Sequence, residues 1–406
     1  MNLFWVALLL NPSYFFRAST SQLILRISIM GLTVGLVNTY STLNIGDAAI
    51  YSALTALASE AKVVAQFQDS EPEYIPSLQI VTQMRHCDAY ISVGGDIFNN
   101  AREGLITKSF IRNLLQLRRS PKHTFVFGQS IPRSCHSLSF QALTYCLRQL
   151  AAVCVRDVES HQRLTTAGIP AILSFDAAFT LSASEQAKDL AEQVLKTLEI
   201  RPESAALISL RTFDSMYRHD NQQFQRQLVS LSRKFCQQGY QPVLVIQSQA
   251  YGADHDLAMA KEIVQQVPQL KIFNPFAFSH QIPKWELVMA ALAICRVIVA
   301  VRYHTSVLAL ASGRVPYNLY YSNKGKDLTK RLQIPGCSLE EFNPDINFDA
   351  IAATSVTTFD DQTIRQQVKQ DFQNCYSRVT SLRSKFKIQN SKFKIKYPTD
   401  KSGGLN

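Results

Sequence analysis

The sequence predicts an α/β protein made of two Rossmann-like, doubly wound domains that face each other across a cleft. Three observations carry this expectation. Short, continuously apolar runs such as Val297-Ile298-Val299-Ala300-Val301 have the character of strands buried on both faces of a parallel sheet. Such runs alternate with amphipathic stretches at helical spacing along most of the chain, the pattern of βαβ units. A length of 406 residues accommodates two domains of ordinary size.

In chain order, Gly31–Asn38 reads as the first strand. Asp47–Glu60 follows as an amphipathic helix with Asp47 as its N-cap. Lys62–Phe67 is a second strand, and Leu78–Arg85 is expected to be helical. Ala89–Val93 is a strand ending in Gly94-Gly95-Asp96, and Lys108–Arg118 a helix. Thr124–Phe127 is a strand ending in Gly128-Gln129-Ser130, followed by a helix over Phe140–Leu150. Ala152–Val155 is a strand ending at Arg156-Asp157, and Glu159–Ala167 a helix closed by Gly168.

The second half repeats the pattern. Ser184–Leu198 is a helix linking the halves, and Ala205–Leu210 a strand. Asn221–Gln238 is a long helix stopped by Gly239, Gln241–Ile246 a strand, His255–Val267 a helix and Lys271–Phe273 a short strand. Pro283–Ile294 is helical and leads into Val297–Val301. That strand stops at Arg302-Tyr303-His304 and passes directly into a helix from Thr305 to Ser312, closed by Gly313. Tyr317–Tyr320 is a last strand, and a closing helix spans Thr358–Arg383. The expected domains are therefore 30–183 and 184–383, with an extension over 1–29 and a disordered basic tail over 384–406.

The net charge of +11 is not a nucleic-acid signature, because it is concentrated in that tail. From Arg378 onward there are eight Lys or Arg against one Asp, which leaves the body only weakly basic. The tail repeats seven residues, Ser384-Lys-Phe-Lys-Ile-Gln-Asn390 and Ser391-Lys-Phe-Lys-Ile-Lys-Tyr397. Leu3–Leu10 is apolar but too short to span a bilayer, and no positive n-region precedes it. An upstream start and a membrane-surface anchor are the two readings left open for residues 1–29. The eight cysteines are scattered singly with no Cys-x-x-Cys, which suggests reduced thiols in the cytosol and no zinc site.

The chemistry should lie at the carboxyl edges of the strands. Arg302 and His304 bring a cation and a proton-transfer group to one such edge, beside the free N–H groups of a helix start. The plain structural alternative is that Arg302 pairs with a core carboxylate and His304 caps the helix. Asn44-x-Gly46-Asp47 stands at the first such edge, with Gly46 permitting close approach and Asn44 the better ligand contact. Gly94-Gly95 permits another close approach, and Arg156 either grips an anion or braces the domain. Asp254-His255-Asp256 reads as a metal site or a helix cap. Gly-x-Gly-x-x-Gly, Gly-x-Ser-x-Gly, P-loop and His-Glu-x-x-His motifs are all absent, which counts against a dinucleotide site and against hydrolase, kinase and zinc-protease chemistry.

Taken in order, these pieces resemble the polysaccharide pyruvyl transferase family. The residues that carry the resemblance are Asn44-x-Gly46-Asp47, Gly94-Gly95, Gly128-Gln129-Ser130-Ile131, Val155-Arg156-Asp157-x-x-Ser160 with Leu164 and Gly168-Ile169, and Asp176. Further on come Val301-Arg302-x-His304 with Ala309, Gly313 and Pro316, then Tyr321 with Lys324. The resemblance spans about Met30 to Asp327; Asp96 departs from it, standing where a third glycine is common.

The resemblance implies a GT-B-like fold. It also implies transfer of a pyruvyl group from phosphoenolpyruvate onto two hydroxyls of a sugar, giving a pyruvate ketal and phosphate. His304 is then the candidate general acid or phosphate ligand and Arg302 the anion clamp. Arg156 is the second cation, Asn44, Gly46 and Gly95 line the acceptor side, and Thr305 joins the substrate-binding set. Phosphoenolpyruvate is a co-substrate, with no cofactor and no metal. A sugar or lipid-linked glycan is the acceptor. Peripheral contact with the inner face of the membrane and homo-oligomerisation remain open. The rival readings are a GT-B glycosyltransferase using a nucleotide sugar, with Asp327, Glu340 or Glu341 for a ribose, and a non-catalytic glycan-binding member.

Overall fold

The computed structural model describes residues 31–100, 106–135, 137–213, 219–250, 255–278 and 282–393. The extension 1–29, Asp254 and the tail from residue 394 lie outside the described residues.

Every strand pairing in the two sheets is parallel. The first sheet holds β1 (Thr33–Val37), β2 (Lys62–Ala65), β3 (Leu78–Ile80), β4 (Ala89–Ser92), β5 (Thr124–Gln129), β6 (Ala152–Val155) and β7 (Ile172–Leu173), in the order β3-β2-β1-β4-β5-β6-β7. The second holds β8 (Ala205–Ser209), β9 (Gln241–Val245), β10 (Lys271–Phe273), β11 (Val297–Ala300), β12 (Tyr317–Tyr320) and β13 (Gly336–Ser338), in the order β10-β9-β8-β11-β12-β13. Strand order reverses beside β1 in one sheet and beside β8 in the other. These reversals leave the crevices in which open α/β sheets take ligands, at the carboxyl ends of β1 and β4 and of β8 and β11.

Among the described residues twelve α-helices flank the sheets: α1 (Ile45–Leu57), α2 (Lys108–Leu117), α3 (Ser137–Leu147), α4 (Val158–Thr166), α5 (Glu185–Thr197), α6 (Asn221–Gln237), α7 (Asp256–Gln266), α8 (Lys284–Ile294), α9 (Tyr303–Ala311), α10 (Asn323–Leu332), α11 (Pro344–Ala353) and α12 (Gln362–Phe393). The apolar cores follow the strand runs; β4, β5, β6, β8 and β11 are buried along their whole length. Helix α12 crosses back to the first domain. Its Phe372 packs edge-on against Phe125 and Phe127, with ring centroids 5.7 and 5.3 Å away. One apolar cluster accordingly runs through both domains.

The structure corrects several sequence expectations. Leu78–Arg85 is not a helix: Leu78–Ile80 pairs with β2 as an edge strand, and its exposure on that edge removes the apolar run that marks interior strands. Asp47 is not the cap of α1. Asn44 is, with its Oδ1 accepting from the N–H groups of Gly46 and Asp47. Strands β7 and β13 and helices α10 and α11 add elements that the sequence pattern did not mark. The closing helix passes Arg383 and continues to Phe393, through the first seven-residue repeat, which contains neither glycine nor proline to stop it.

Candidate active site

A cleft of about 350 Å³ lies between the domains, and both topological reversals open into it. The first domain contributes Asn38, Gly46, Gly95, Asp96 and Arg156 to its wall, and the second contributes Arg211, Tyr303, His304, Tyr321 and Lys324. The two domains are joined at its base by main chain. Ile45 N–H donates to the Gln247 carbonyl and Gln249 N–H to the Leu43 carbonyl, both at 2.9 Å. This short antiparallel seam fixes the start of α1 against the second domain.

His304 is held at the second position of α9, directly beyond β11. A Cβ on Gly46 would lie 2.0 Å from His304 Nδ1 and 2.6 Å from its Cγ, so the imidazole rests on bare backbone of the facing domain. The other ring nitrogen, Nε2, lies 3.4 Å from Asp176 Oδ2, at ion-pair distance but off the line that a hydrogen bond requires. Burial pushes His304 below the ordinary imidazole range; Asp176 opposes that shift, while Arg156 and Lys324 reinforce it.

Asp176 is the hub of the buried charges. Its Oδ2 receives Arg156 Nη1 at 2.5 Å, and its Oδ1 receives the Ala178 N–H at 2.9 Å. Burial alone would raise it, but His304 and then Arg156 hold its carboxyl well below the usual carboxylate range. Arg156 also donates through Nε to Ser130 Oγ at 2.8 Å and lies 4.6 Å over the Tyr303 ring. Its Nη2 has no hydrogen-bond partner and lies 3.6 Å from Asp96 Oδ1. Asp96 completes the set by pairing with Lys324 across the cleft. Although burial raises Asp96, Lys324 and Arg156 bring it below its ordinary value. Gly95, at φ +118°, makes the turn that places Asp96 there; its carbonyl accepts from the Ser130 N–H at 3.0 Å.

The remaining sequence candidates stand differently from their expected roles. Arg302 lines the cleft, but its guanidinium is committed to Asp256, with Nη2 to Oδ1 at 2.5 Å and Nε to Oδ2 at 3.1 Å, and to the Leu210 carbonyl at 3.0 Å. Both partners are buried. The alternative of a core ion pair is therefore the observed geometry, and Arg302 is not an open anion clamp. Asp256 also receives the N–H groups of Gln247 and Ser248, which leaves it an anchor for the interdomain seam rather than a metal ligand. Thr305 lies outside the cleft wall and donates its hydroxyl to Gln247 Oε1 at 2.7 Å. Asn44 is at the wall, with its carbonyl oxygen occupied by the helix cap. Among the described residues no group of three or more His, Cys, Asp or Glu could hold a metal ion, and no helix is long and apolar enough to cross a membrane.

Sequence reasoning assigned no role to Tyr303, Arg211 or Arg112, all of which line the cleft, and it treated Asp96 only as a departure. Arg211 donates to the Tyr321 hydroxyl and lies 5.1 Å over that ring. Its position two residues beyond β8 matches that of Arg302 beyond β11, so the same signal was available in the sequence.

Two Rossmann-like domains closing on one polar, cation-rimmed cleft make this a GT-B-fold protein. The chain belongs to the polysaccharide pyruvyl transferase family, whose model matches residues 44–323. Among solved structures it is similar to the UDP-GlcNAc 2-epimerase of Methanocaldococcus jannaschii, with 9% identity, a TM-score of 0.54, and coverage of 84% of this chain and 98% of that one. A Listeria monocytogenes protein assigned to the same epimerase class gives 10% identity, a TM-score of 0.54, and coverage of 83% and 94%. These likenesses concern the fold alone. No curated protein matches the chain.

Proposed function

We propose that this protein transfers a pyruvyl group from phosphoenolpyruvate to two hydroxyls of a glycan sugar, forming a cyclic ketal and releasing phosphate. The carrying observation is the placement of His304, backed by Asp176, in an interdomain cleft that Arg156, Arg211, Lys324 and Arg112 surround with positive charge. A small, highly charged anion suits that wall, and the cleft has room for a sugar ring beside it.

In this reading the donor's phosphate and carboxylate bind among Arg156, Lys324 and Arg211. Their negative charge raises the basicity of His304, which burial otherwise keeps neutral. Protonated His304 then gives its proton to the methylene carbon of the enolpyruvyl group, leaving an oxocarbenium-like centre at C2. The first sugar hydroxyl attacks C2 and loses its proton to the imidazole. The imidazolium so formed gives its proton to the departing phosphate as the C2–O bond to it breaks, which regenerates an electrophilic C2, and the second hydroxyl closes the ketal by passing its proton to the imidazole. Asp176 holds the ring and stabilises the imidazolium between steps.

The nucleotide-sugar reading finds less support in the geometry. Asp327 is engaged by the Val158 N–H and Arg331, and Glu341 by Ser338, away from the cleft. Thermal unfolding with phosphoenolpyruvate beside a panel of nucleotide sugars tests the choice, since a ligand of the folded state must raise the midpoint. A rise with phosphoenolpyruvate alone, lost in Lys324→Met, is expected. A rise only with a nucleotide sugar would overturn the donor assignment.

A further inference from the structure

We propose that the outer face of α2 and α3 docks on an anionic lipid bilayer, which sets the mouth of the cleft at the membrane surface. The observation begins in the sequence. Residues 106–151 contain seven Lys or Arg and no Asp or Glu, although the chain as a whole carries 31 acidic residues. The same stretch holds half of the exposed large apolar side chains found among the described residues: Ile111, Leu115, Leu138 and Tyr145, at 45%, 61%, 53% and 57% exposure.

These groups form one surface. Along α2, Lys108, Ile111, Leu115 and Arg118 follow one another at helical spacing, a stripe with two apolar tips between two cations. Leu138 and Tyr145 stand two turns apart on α3, and the Arg118 guanidinium lies 5.9 Å over the Tyr145 ring, tying the helices together on the outside. The inward faces are already satisfied, because Phe110, Leu114, Leu117, Leu143 and Leu147 are buried in one cluster. The outer tips are therefore not needed for the core.

Charge complementarity selects the occupant. Isolated apolar tips set among cations, on two helices that carry no carboxylate of their own, match the headgroup and acyl boundary of an anionic leaflet, where apolar tips insert and Lys and Arg meet phosphate. The first two turns of α2 also contribute Ser109, Arg112 and Asn113 to the cleft, so a bilayer on this face lies next to the site. An acceptor glycan carried on a lipid would reach the cleft without leaving the membrane. The docking surface stands whichever donor the cleft takes.

The test is co-sedimentation of the full chain with vesicles of phosphatidylcholine alone or mixed with phosphatidylglycerol. Binding is expected only to the anionic vesicles, weakening as salt rises. The double variant Ile111→Ser, Leu115→Ser should lower partitioning about tenfold, the scale set by removing two inserted side chains, with an unchanged unfolding midpoint. Lys108→Gln with Arg118→Gln should weaken binding and flatten its salt dependence. Because the tail is also basic, a third variant changes Lys385, Lys387, Lys392, Lys394 and Lys396 to Gln and should still bind. Absence of vesicle binding, full binding by the double variant, or loss confined to the tail variant would each overturn the proposal. Retention on heparin without vesicle binding would reassign the face to a soluble polyanion and overturn it too.

Discussion

Gly46 and His304 meet across the interdomain cleft with no space for a side chain between them: a methyl group on residue 46 would stand 2.0 Å from His304 Nδ1. The same glycine opens α1, whose first turn is tied to Gln247 by the seam at the cleft base. The contact that positions the proposed acid thus lies beside the main-chain seam that joins the domains.

Gly46→Ala should displace His304 or part the domains locally, since the nearest atoms are ring and Cβ atoms that cannot swing away freely. A misplacement near 1 Å costs about 10²-fold in rate when chemistry depends on the group. The rate of phosphate release should fall by about that factor, with a much smaller change in donor affinity. Near-normal turnover would mean that His304 is not the acid.

Burial, opposed in part by Asp176, sets where the pH dependence falls. Burial lowers His304 and Asp176 raises it, so the protonated form in the free enzyme is lost as pH rises through a value below the ordinary 6.5. The kcat/KM profile should therefore fall on that side. The kcat profile, with the anionic donor bound, should fall at higher pH. Asp176→Asn removes a raising charge and should move the kcat/KM limb to lower pH. Activity that rises through this pH range would make neutral His304 the required form. Asp176 also bears on stability. Its pKa is depressed in the folded state, so its contribution is present above the unfolded carboxylate value and is lost as pH falls through the folded one. Asp176→Ala strands buried Arg156 and should cost about 3–5 kcal/mol in denaturant unfolding.

Much of this arrangement was legible in the sequence, for a physical reason. Interior parallel strands are continuous apolar runs, so their ends, and the Gly46, Gly95, Arg156 and His304 positions beyond them, could be placed by pattern alone. The partners of the charges could not. Arg302 meets Asp256 and Asp96 meets Lys324 through tertiary folding, and nothing local distinguishes an arginine open to a ligand from one already paired. Leu78–Ile80 was missed because an exposed three-residue edge strand has no run to read. The acid-free stretch 106–151 was visible, but a net charge averaged over the body conceals it.

Arg302 provides a test that separates positioning from binding. Arg302→Ala leaves Asp256 buried without its guanidinium, so the expected loss is about 3–5 kcal/mol of stability. An arginine that mainly clamped the donor would lose affinity with little change in unfolding. Comparing the unfolding midpoint with donor affinity for this variant distinguishes the two roles.

Lys324 should behave in the opposite way. Its pair with Asp96 is part-exposed, at 12% and 18% of the side chains, and joins the two domains across the mouth of the cleft. Because Asp96 keeps Arg156 as a second cation 3.6 Å away, Lys324→Met does not strand its carboxylate and should lower the unfolding midpoint less than Arg302→Ala does. Its ammonium also lies 5.5 Å from the Tyr303 ring centroid, and the Arg156 guanidinium lies 4.6 Å from the same centroid. An anionic donor offers that ammonium a stronger partner than a single carboxylate. Donor affinity should therefore drop about tenfold or more in Lys324→Met, the cost of one charge-assisted hydrogen bond. The same variant should reduce the salt sensitivity of donor binding without abolishing it, because Arg156, Arg211 and Arg112 remain at the cleft. Unchanged affinity would restrict Lys324 to joining the domains and leave Arg156 and Arg211 as the donor's cations.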